Sequence, residues 1–90
     1  MQQFSYETAL VHLKHGARVA RHGWNGKNMF VFLVPGSTFK VNREPLLSIL
    51  GEGTEVTYHA HLDIKNVDGS IAVWVPSITD QMASDWYVVE

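Results

Sequence analysis

The sequence predicts an α+β fold: a small antiparallel β-sheet of two hairpins plus a C-terminal strand, packed by an N-terminal helix and two short helices. Three observations predict it. Apolar residues recur at helical spacing near the start of the chain. Two pairs of strand-like segments flank Asn25-Gly26 and Asp68-Gly69. A helix-capping signature then precedes a last strand-like segment.

The first helix opens at Ser5, a good N-cap, with Phe4 placed to staple against Ala9. Tyr6, Ala9, Leu10 and Leu13 share one face, Glu7, His12 and Lys14 point outward, and Gly16 ends the helix as a left-handed glycine. Residues 17–22 and 29–34 form the first hairpin around Trp24-Asn25-Gly26-Lys27, where Asn-Gly supplies the positive φ angles of a type I′ turn. Residues 29–34 are apolar on both faces, so a central strand covered on both sides is expected. Pro35-Gly36-Ser37 turns the chain. Residues 44–51 read as a short helix with proline in its first turn and glycine after its end.

The longest strand signal covers residues 54–65. Val56, Tyr58, Ala60, Leu62 and Ile64 alternate with Thr57, His59, His61, Asp63 and Lys65, giving one apolar and one polar face. Its partner is residues 70–75, and two registers are open. A two-residue Asp68-Gly69 turn sets Trp74 opposite Asp63 on the polar face, with Ile71, Val73 and Val75 inside. A type I turn over Asn66 to Gly69 with a glycine bulge moves Trp74 to the core. The apolar pattern favours the first, because it places three β-branched residues inside. Ser77-Ile78-Thr79-Asp80 is a capping box opening a helix through Ala83, and residues 86–89 close the sheet.

Ninety residues make one domain, residues 1–90, and a chain this short buries only about 60% of the surface it exposes when unfolded. With 46% hydrophobic residues, a symmetric oligomer that shares apolar surface is expected. A net charge of −2 argues against a nucleic-acid polymer as partner but leaves room for a small anion held by a local cationic cluster. Without cysteine there is neither disulfide nor thiolate metal site. No secretory signal or membrane-length apolar run is visible, so a soluble, cytoplasmic protein without a membrane partner is expected.

The polar face of the long strand carries the chemistry. His59, His61, Asp63 and Lys65 need water, a partner chain or a ligand. His-x-His with Asp63 allows a metal, but no downstream histidine completes a set, so neither metal nor cofactor is expected. In the favoured register Trp74 lies among these groups, a surface suited to a purine nucleotide. Trp24 and Lys27, with Arg18, Arg21 and His22 nearby, offer a second stacking platform beside cations, and Arg43 offers a bidentate phosphate contact. Ser77 and Asp80 act first as a cap, and Asp80 suits ribose hydroxyls better than phosphate. No nucleophile motif or P-loop is present, so an enzyme is not expected.

Several segments together resemble a known family. Gly23-Trp24-Asn25-Gly26-Lys27, Val34-Pro35-Gly36-Ser37 and Val41-Asn42-Arg43-Glu44-Pro45-Leu46 are three of them. Asp68-Gly69-Ser70-Ile71 with Trp74, and Ser77-Ile78-Thr79-Asp80 followed by Asp85-Trp86, complete the set. Their order and spacing are similar to the second Thoeris anti-defense family of phage proteins. The resemblance implies a homotetrameric sponge acting in the cytoplasm of the infected host. It would sequester glycocyclic ADP-ribose, a cyclic ADP-ribose-type signal, without cleaving it, and so keep the Thoeris effector inactive. It further implies pockets between protomers and, in some members, cyclic dinucleotides bound elsewhere. Chemistry and motif membership together select Trp24, Asn25, Lys27, Arg43, Asp63, Trp74, Ser77, Thr79 and Asp80 as ligand-binding residues, with His59 and His61 behind them. A small nucleotide- or metal-dependent enzyme using His59, His61 and Asp63, and a virion or host-protein interaction module, stand as alternatives.

Overall fold

The structure, a computed structural model, describes residues 2–24 and 26–90. Its helices are α1 (Tyr6–Lys14), α2 (Leu46–Leu50) and α3 (Ile78–Met82). Its strands are β1 (Arg18–Arg21), β2 (Phe30–Val34), β3 (Ser37–Lys40), β4 (Glu55–Tyr58), β5 (His61–Lys65), β6 (Ile71–Val73) and β7 (Trp86–Val89). Five strands form an antiparallel sheet in the order β6-β5-β2-β1-β7, while β3 and β4 pair apart from it. The expected α+β fold is present, with two hairpins and the C-terminal strand in the five-stranded sheet and β3–β4 as a second sheet beside it.

α1 ends as Gly16 predicts. Its φ of +92° lets Gly16 N donate to Leu13 O and Ala17 N to His12 O, the paired bonds that satisfy a helix's last carbonyls. At the other end the Ser5 hydroxyl bonds the Thr8 hydroxyl at 3.4 Å and makes no bond to a backbone N–H. Phe4 pairs with Trp86 through the backbone and stacks on His12 at 5.0 Å. His12 is therefore half-buried and not on an outward face.

Opposed residues in antiparallel strands point to one side of the sheet. The registers Val19↔Val31, Val31↔Ile64 and Val19↔Val88 therefore set these side chains on a common face. α1 covers that face with Ala9 and Leu13, and Trp86 fills the rest of the core. Each fully buried aliphatic side chain stabilises the fold by about 1.5–3 kcal/mol.

The opposite face carries Arg18, Phe30, Phe32, Asp63, Val73 and Tyr87, and neither α1 nor α3 lies over it. β2 is the central strand, as its composition predicts, but it is covered within the chain on one side only.

The strand expected over residues 54–65 divides at His59 and Ala60 into β4 and β5, which belong to different sheets. Pro35 and Gly36 explain the break. Proline has no N–H to continue a ladder, and a Cβ at Gly36 would lie 2.7 Å from Tyr58 O. The pairing resumes in the same register beyond the break, Val34↔His61 on one side and Ser37↔Tyr58 on the other. β3, unforeseen from sequence, is thus the continuation of β2. The bent-out hairpin forms an arm on a molecule 48 Å long and about half as wide. α2 lies in the connection at the arm's far end, around buried Val41, and does not pack on the five-stranded sheet.

The second hairpin adopts the glycine-bulge register and overturns the favoured one. Asn66 N bonds Ser70 O at 2.8 Å, Gly69 N bonds Asn66 O at 3.0 Å, and Gly69 has a φ of +89°. Asp68 secures the turn by accepting from the Ser70 amide and hydroxyl. Asp63 consequently opposes Val73, not Trp74. Burying one large indole beside two others outweighs burying three β-branched residues, and Ile71 and Val73 are left 52% and 70% exposed.

The type I′ turn expected at Asn25-Gly26 includes Asn25, which lies outside the described residues. On either side the strands stop at Arg21 and start at Phe30, and among the described residues between them Asn28 is left-handed, with a φ of +62°.

Candidate ligand-binding site

A cleft of about 500 Å³ opens where β1, β2 and β7 meet the loop that follows β1. Arg18, His22, Trp24, Lys27, Phe30 and Tyr87 form much of its wall. The strand order brings them together: β7 lies against β1, so Tyr87 stands opposite Ala20 and its ring meets His22 at 4.7 Å. Arg18 and Lys65 both sit over the Phe30 ring, at 5.1 and 5.5 Å. Among the described residues neither Arg18 nor Lys27 forms an ion pair. The cleft therefore combines aromatic surfaces with two cations outside ion pairs, against one carboxylate, Glu90, in its wall, which suits a compact anionic ring system.

Trp24 joins the cleft to the core. Its indole meets Trp86 and Trp74 edge-on, at 5.4 and 6.3 Å, and Tyr6 closes the cluster against Trp86 at 5.4 Å. Arg21 also lines the cleft, but its charge is spent. The guanidinium donates to Asp85 at 2.8 Å and to Asp80 at 2.9 Å, and only 14% of its side chain is exposed. Gly23 N bonds the other Asp85 oxygen at 2.8 Å, tying the start of the loop to the same group.

These contacts set the titration of both carboxyls. The Arg21 hydrogen bond is the main influence on Asp85 and holds its pKa below the ordinary value. Burial is the largest influence on Asp80 and opposes ionisation, but hydrogen bonds from Arg21, Trp24 and Ser77 outweigh it and lower its pKa too. A carboxyl that titrates lower when folded contributes stability above its unfolded pKa of about 3.9, and loses it as pH falls through the folded value. Urea midpoints should therefore decline below about pH 4, and Asp85→Asn should flatten that decline. A variant with an acid limb as steep as wild type would show that Asp85 carries none of it.

The structure scatters the sequence-selected residues over the cleft, the core, the start of α3, the arm and the uncovered sheet face. Trp24 and Lys27 line the cleft, while Asn25 lies outside the described residues. Trp74 touches Trp24 but faces the core. The Ser77 hydroxyl caps α3 by accepting from Asp80 N at 3.0 Å, and Thr79 is exposed in the same turn. Arg43 belongs to a separate cleft of about 310 Å³ on the arm, beside Asn42, Phe39 and Tyr58. Asp63 lies on the uncovered sheet face, 3.2 Å from His61, and one of its oxygens is buried without a hydrogen bond. His59, in the break between β4 and β5, is exposed. Among the described residues no three His, Asp or Glu side chains converge as a metal site, and no helix is long and apolar enough to cross a membrane.

Arg18, Phe30 and Tyr87 were not selected from sequence, although Arg18 was visible near Trp24. Tyr87 could not be placed, because nothing local says that the last strand pairs with the first.

Comparison with known proteins adds two findings. The family model described as the Thoeris anti-defense 2-like domain matches residues 4–89. A relative named Thoeris anti-defense 2, from Bacillus phage SP01, is 40% identical over 92 residues, covering 97% of this chain and 96% of that protein.

Proposed function

Because this chain belongs to the Thoeris anti-defense 2-like family, we propose that it sequesters a cyclic ADP-ribose-type nucleotide, glycocyclic ADP-ribose, without cleaving it. Withdrawing that signal in the host cytoplasm would keep the Thoeris effector inactive. The observation that carries this reading is the cleft where the Trp24 indole and the Phe30 and Tyr87 rings stand beside Arg18 and Lys27, which form no ion pair among the described residues.

A sponge needs affinity and no bond-breaking group. Nanomolar binding corresponds to about −12 kcal/mol. Stacking supplies ~1–3 kcal/mol per base, and each charge-assisted hydrogen bond ~1.5–3 kcal/mol. One adenine between aromatic rings and a pyrophosphate shared by Arg18 and Lys27 account for a large part of that. Trp24 and Lys27 are contacts in this reading. Asp80 holds the edge of the Trp24 ring, Ser77 caps the helix that carries Asp80, and Trp74 packs against the ring.

The uncovered sheet face supports assembly as a homotetramer. Phe30, Phe32, Val34, Ile71 and Val73 share that face, and a contiguous apolar patch left open there marks an interaction surface. Phe30 and Tyr87 belong to both that face and the cleft, so a second protomer on the face would wall the cleft's open side. The arm cleft, with Arg43 beside Phe39 and Tyr58, is the place we assign to a second ligand class, cyclic dinucleotides.

The test is recovery of the guest. Protein saturated with glycocyclic ADP-ribose, freed of excess and then heat-denatured, should release the nucleotide intact at a stoichiometry fixed by the assembly. A cleaved product would move the protein to the enzymes, and an empty filtrate would end the nucleotide reading.

A further inference from the structure

The Asp80 carboxylate ties three segments of the chain together, and it does not line the cleft. One oxygen accepts from both the Trp24 indole N–H, at 3.3 Å, and the Arg21 guanidinium, at 2.9 Å. The other accepts from the Ser77 amide at 3.2 Å. Its backbone carbonyl accepts from the Trp86 indole N–H at 2.9 Å. The two side chains that it holds from 56 and 59 residues away both line the cleft.

Resting on the nucleotide reading above, we propose that Asp80 is a positioning residue, a latch that fixes the Trp24 indole at the cleft wall before a ligand arrives. The Trp24 loop needs such a latch. Arg21 O and the Asp85 carboxylate hold its first residues by the backbone, but a backbone bond does not choose a side-chain rotamer. The Trp24 N–H can reach an acceptor only along one ring edge, so a bond to Asp80 sets the plane of the ring. Packing edge-on against Trp86 and Trp74 then keeps the indole from turning. A ring already in place loses less conformational freedom on binding, and that raises affinity without a direct contact. Both carboxylate oxygens already accept bonds from the protein, and Asp80 stands behind the cleft wall and not in it. Its effect on the ligand passes through Trp24.

Two measurements test the latch, one without any ligand. Indole N–H exchange in the free protein, followed by NMR, should accelerate about tenfold or more at Trp24 in Asp80→Ala. It should stay slow at Trp86, whose acceptor is a backbone carbonyl that the substitution leaves in place. Ser77→Ala, which loosens the α3 cap but spares the carboxylate, should leave Trp24 protected. If Asp80→Ala does not fold, Asp80→Asn keeps the side-chain shape, weakens the acceptor, and should give a smaller acceleration confined to the same ring.

The second measurement is a double-mutant cycle read by calorimetry with glycocyclic ADP-ribose. Trp24→Phe keeps a ring and deletes the N–H. Asp80→Ala and Trp24→Phe should each weaken binding about tenfold, and the double variant should be little worse than Trp24→Phe alone. Unchanged Trp24 exchange in Asp80→Ala, or a double variant whose loss is the product of the two single losses, would overturn the proposal. If wild-type protein gives no binding heat, the nucleotide reading falls by itself, and the exchange experiment alone decides whether Asp80 holds the ring.

Discussion

Trp86→Ala is expected to destabilise the protein by about 3–5 kcal/mol, the range for deleting a fully buried large aromatic side chain. Trp86 has no exposed surface. It is the first residue of β7, and its backbone pairs on one side with Arg21 and on the other with Phe4. Its ring meets Tyr6, Trp24 and Trp74 within 6.0 Å, and its N–H reaches the Asp80 carbonyl. Removing it would leave a cavity lined by three other aromatic rings and a buried carbonyl without its donor. Single domains are stable by only about 5–15 kcal/mol, so most of that margin goes. Trp86→Phe should be milder, because it keeps one ring in the core and loses the hydrogen bond and the packing of the second ring. Urea titration at one fixed protomer concentration measures both, with the slope checked for constancy. A Trp86→Ala midpoint equal to wild type would contradict the core described above.

Trp24→Ala separates binding from folding. The Trp24 ring is half-buried and lines the cleft, so its loss should weaken glycocyclic ADP-ribose binding by about 5- to 150-fold, equivalent to ~1–3 kcal/mol of base stacking. Some stability should go as well, since one edge of the ring packs on Trp86. Trp74→Ala is the informative contrast. On the polar face that alternation favours, Trp74 would be a ligand platform whose loss spares the fold. In the register observed it packs against Tyr6, Trp24 and Trp86, and its substitution should lower the unfolding midpoint more than Trp24→Ala does. Calorimetry and urea midpoints on the two variants give opposite orders of effect. If Trp74→Ala were the weaker binder and the more stable protein, the assignment of the cleft to Trp24 would be wrong.

Much of the scaffold was legible because its signals are local. Helical spacing over Tyr6, Ala9 and Leu13, the Gly16 stop, the capping box from Ser77 to Asp80 and the apolar run from Phe30 to Val34 all reappear as structure. Each depends on residues within a few positions of one another. The break at His59 was hidden because alternation runs unbroken from Val56 to Ile64. The interrupting pair, Pro35 and Gly36, acts from the opposite strand. Trp74 was misplaced for a related reason. Both turns over residues 66–69 are chemically reasonable, and a one-residue slip sends every side chain of the strand to the other face.

The candidate site was legible only in part. Trp24 and Lys27 were identified from the composition of one loop, but Arg43 and Asp63 were joined to them by chemistry and are separated from them by topology. Arg21 read as a free cation, and only the folded chain shows it neutralised by Asp80 and Asp85.

The amino-acid sequence by itself determined the fold class, the helices and most strands in their order, the family, and the supply of indoles and cations from which a nucleotide site could be built. Tertiary structure alone decided which face each indole takes, which cations stay free, and that β7 lies beside β1 to complete the cleft wall. The physical reason is distance along the chain. Helix spacing, caps and turns are settled by neighbours a few residues apart, whereas the Arg21–Asp80 and Trp24–Asp80 contacts join positions 59 and 56 residues apart, and no local preference specifies them.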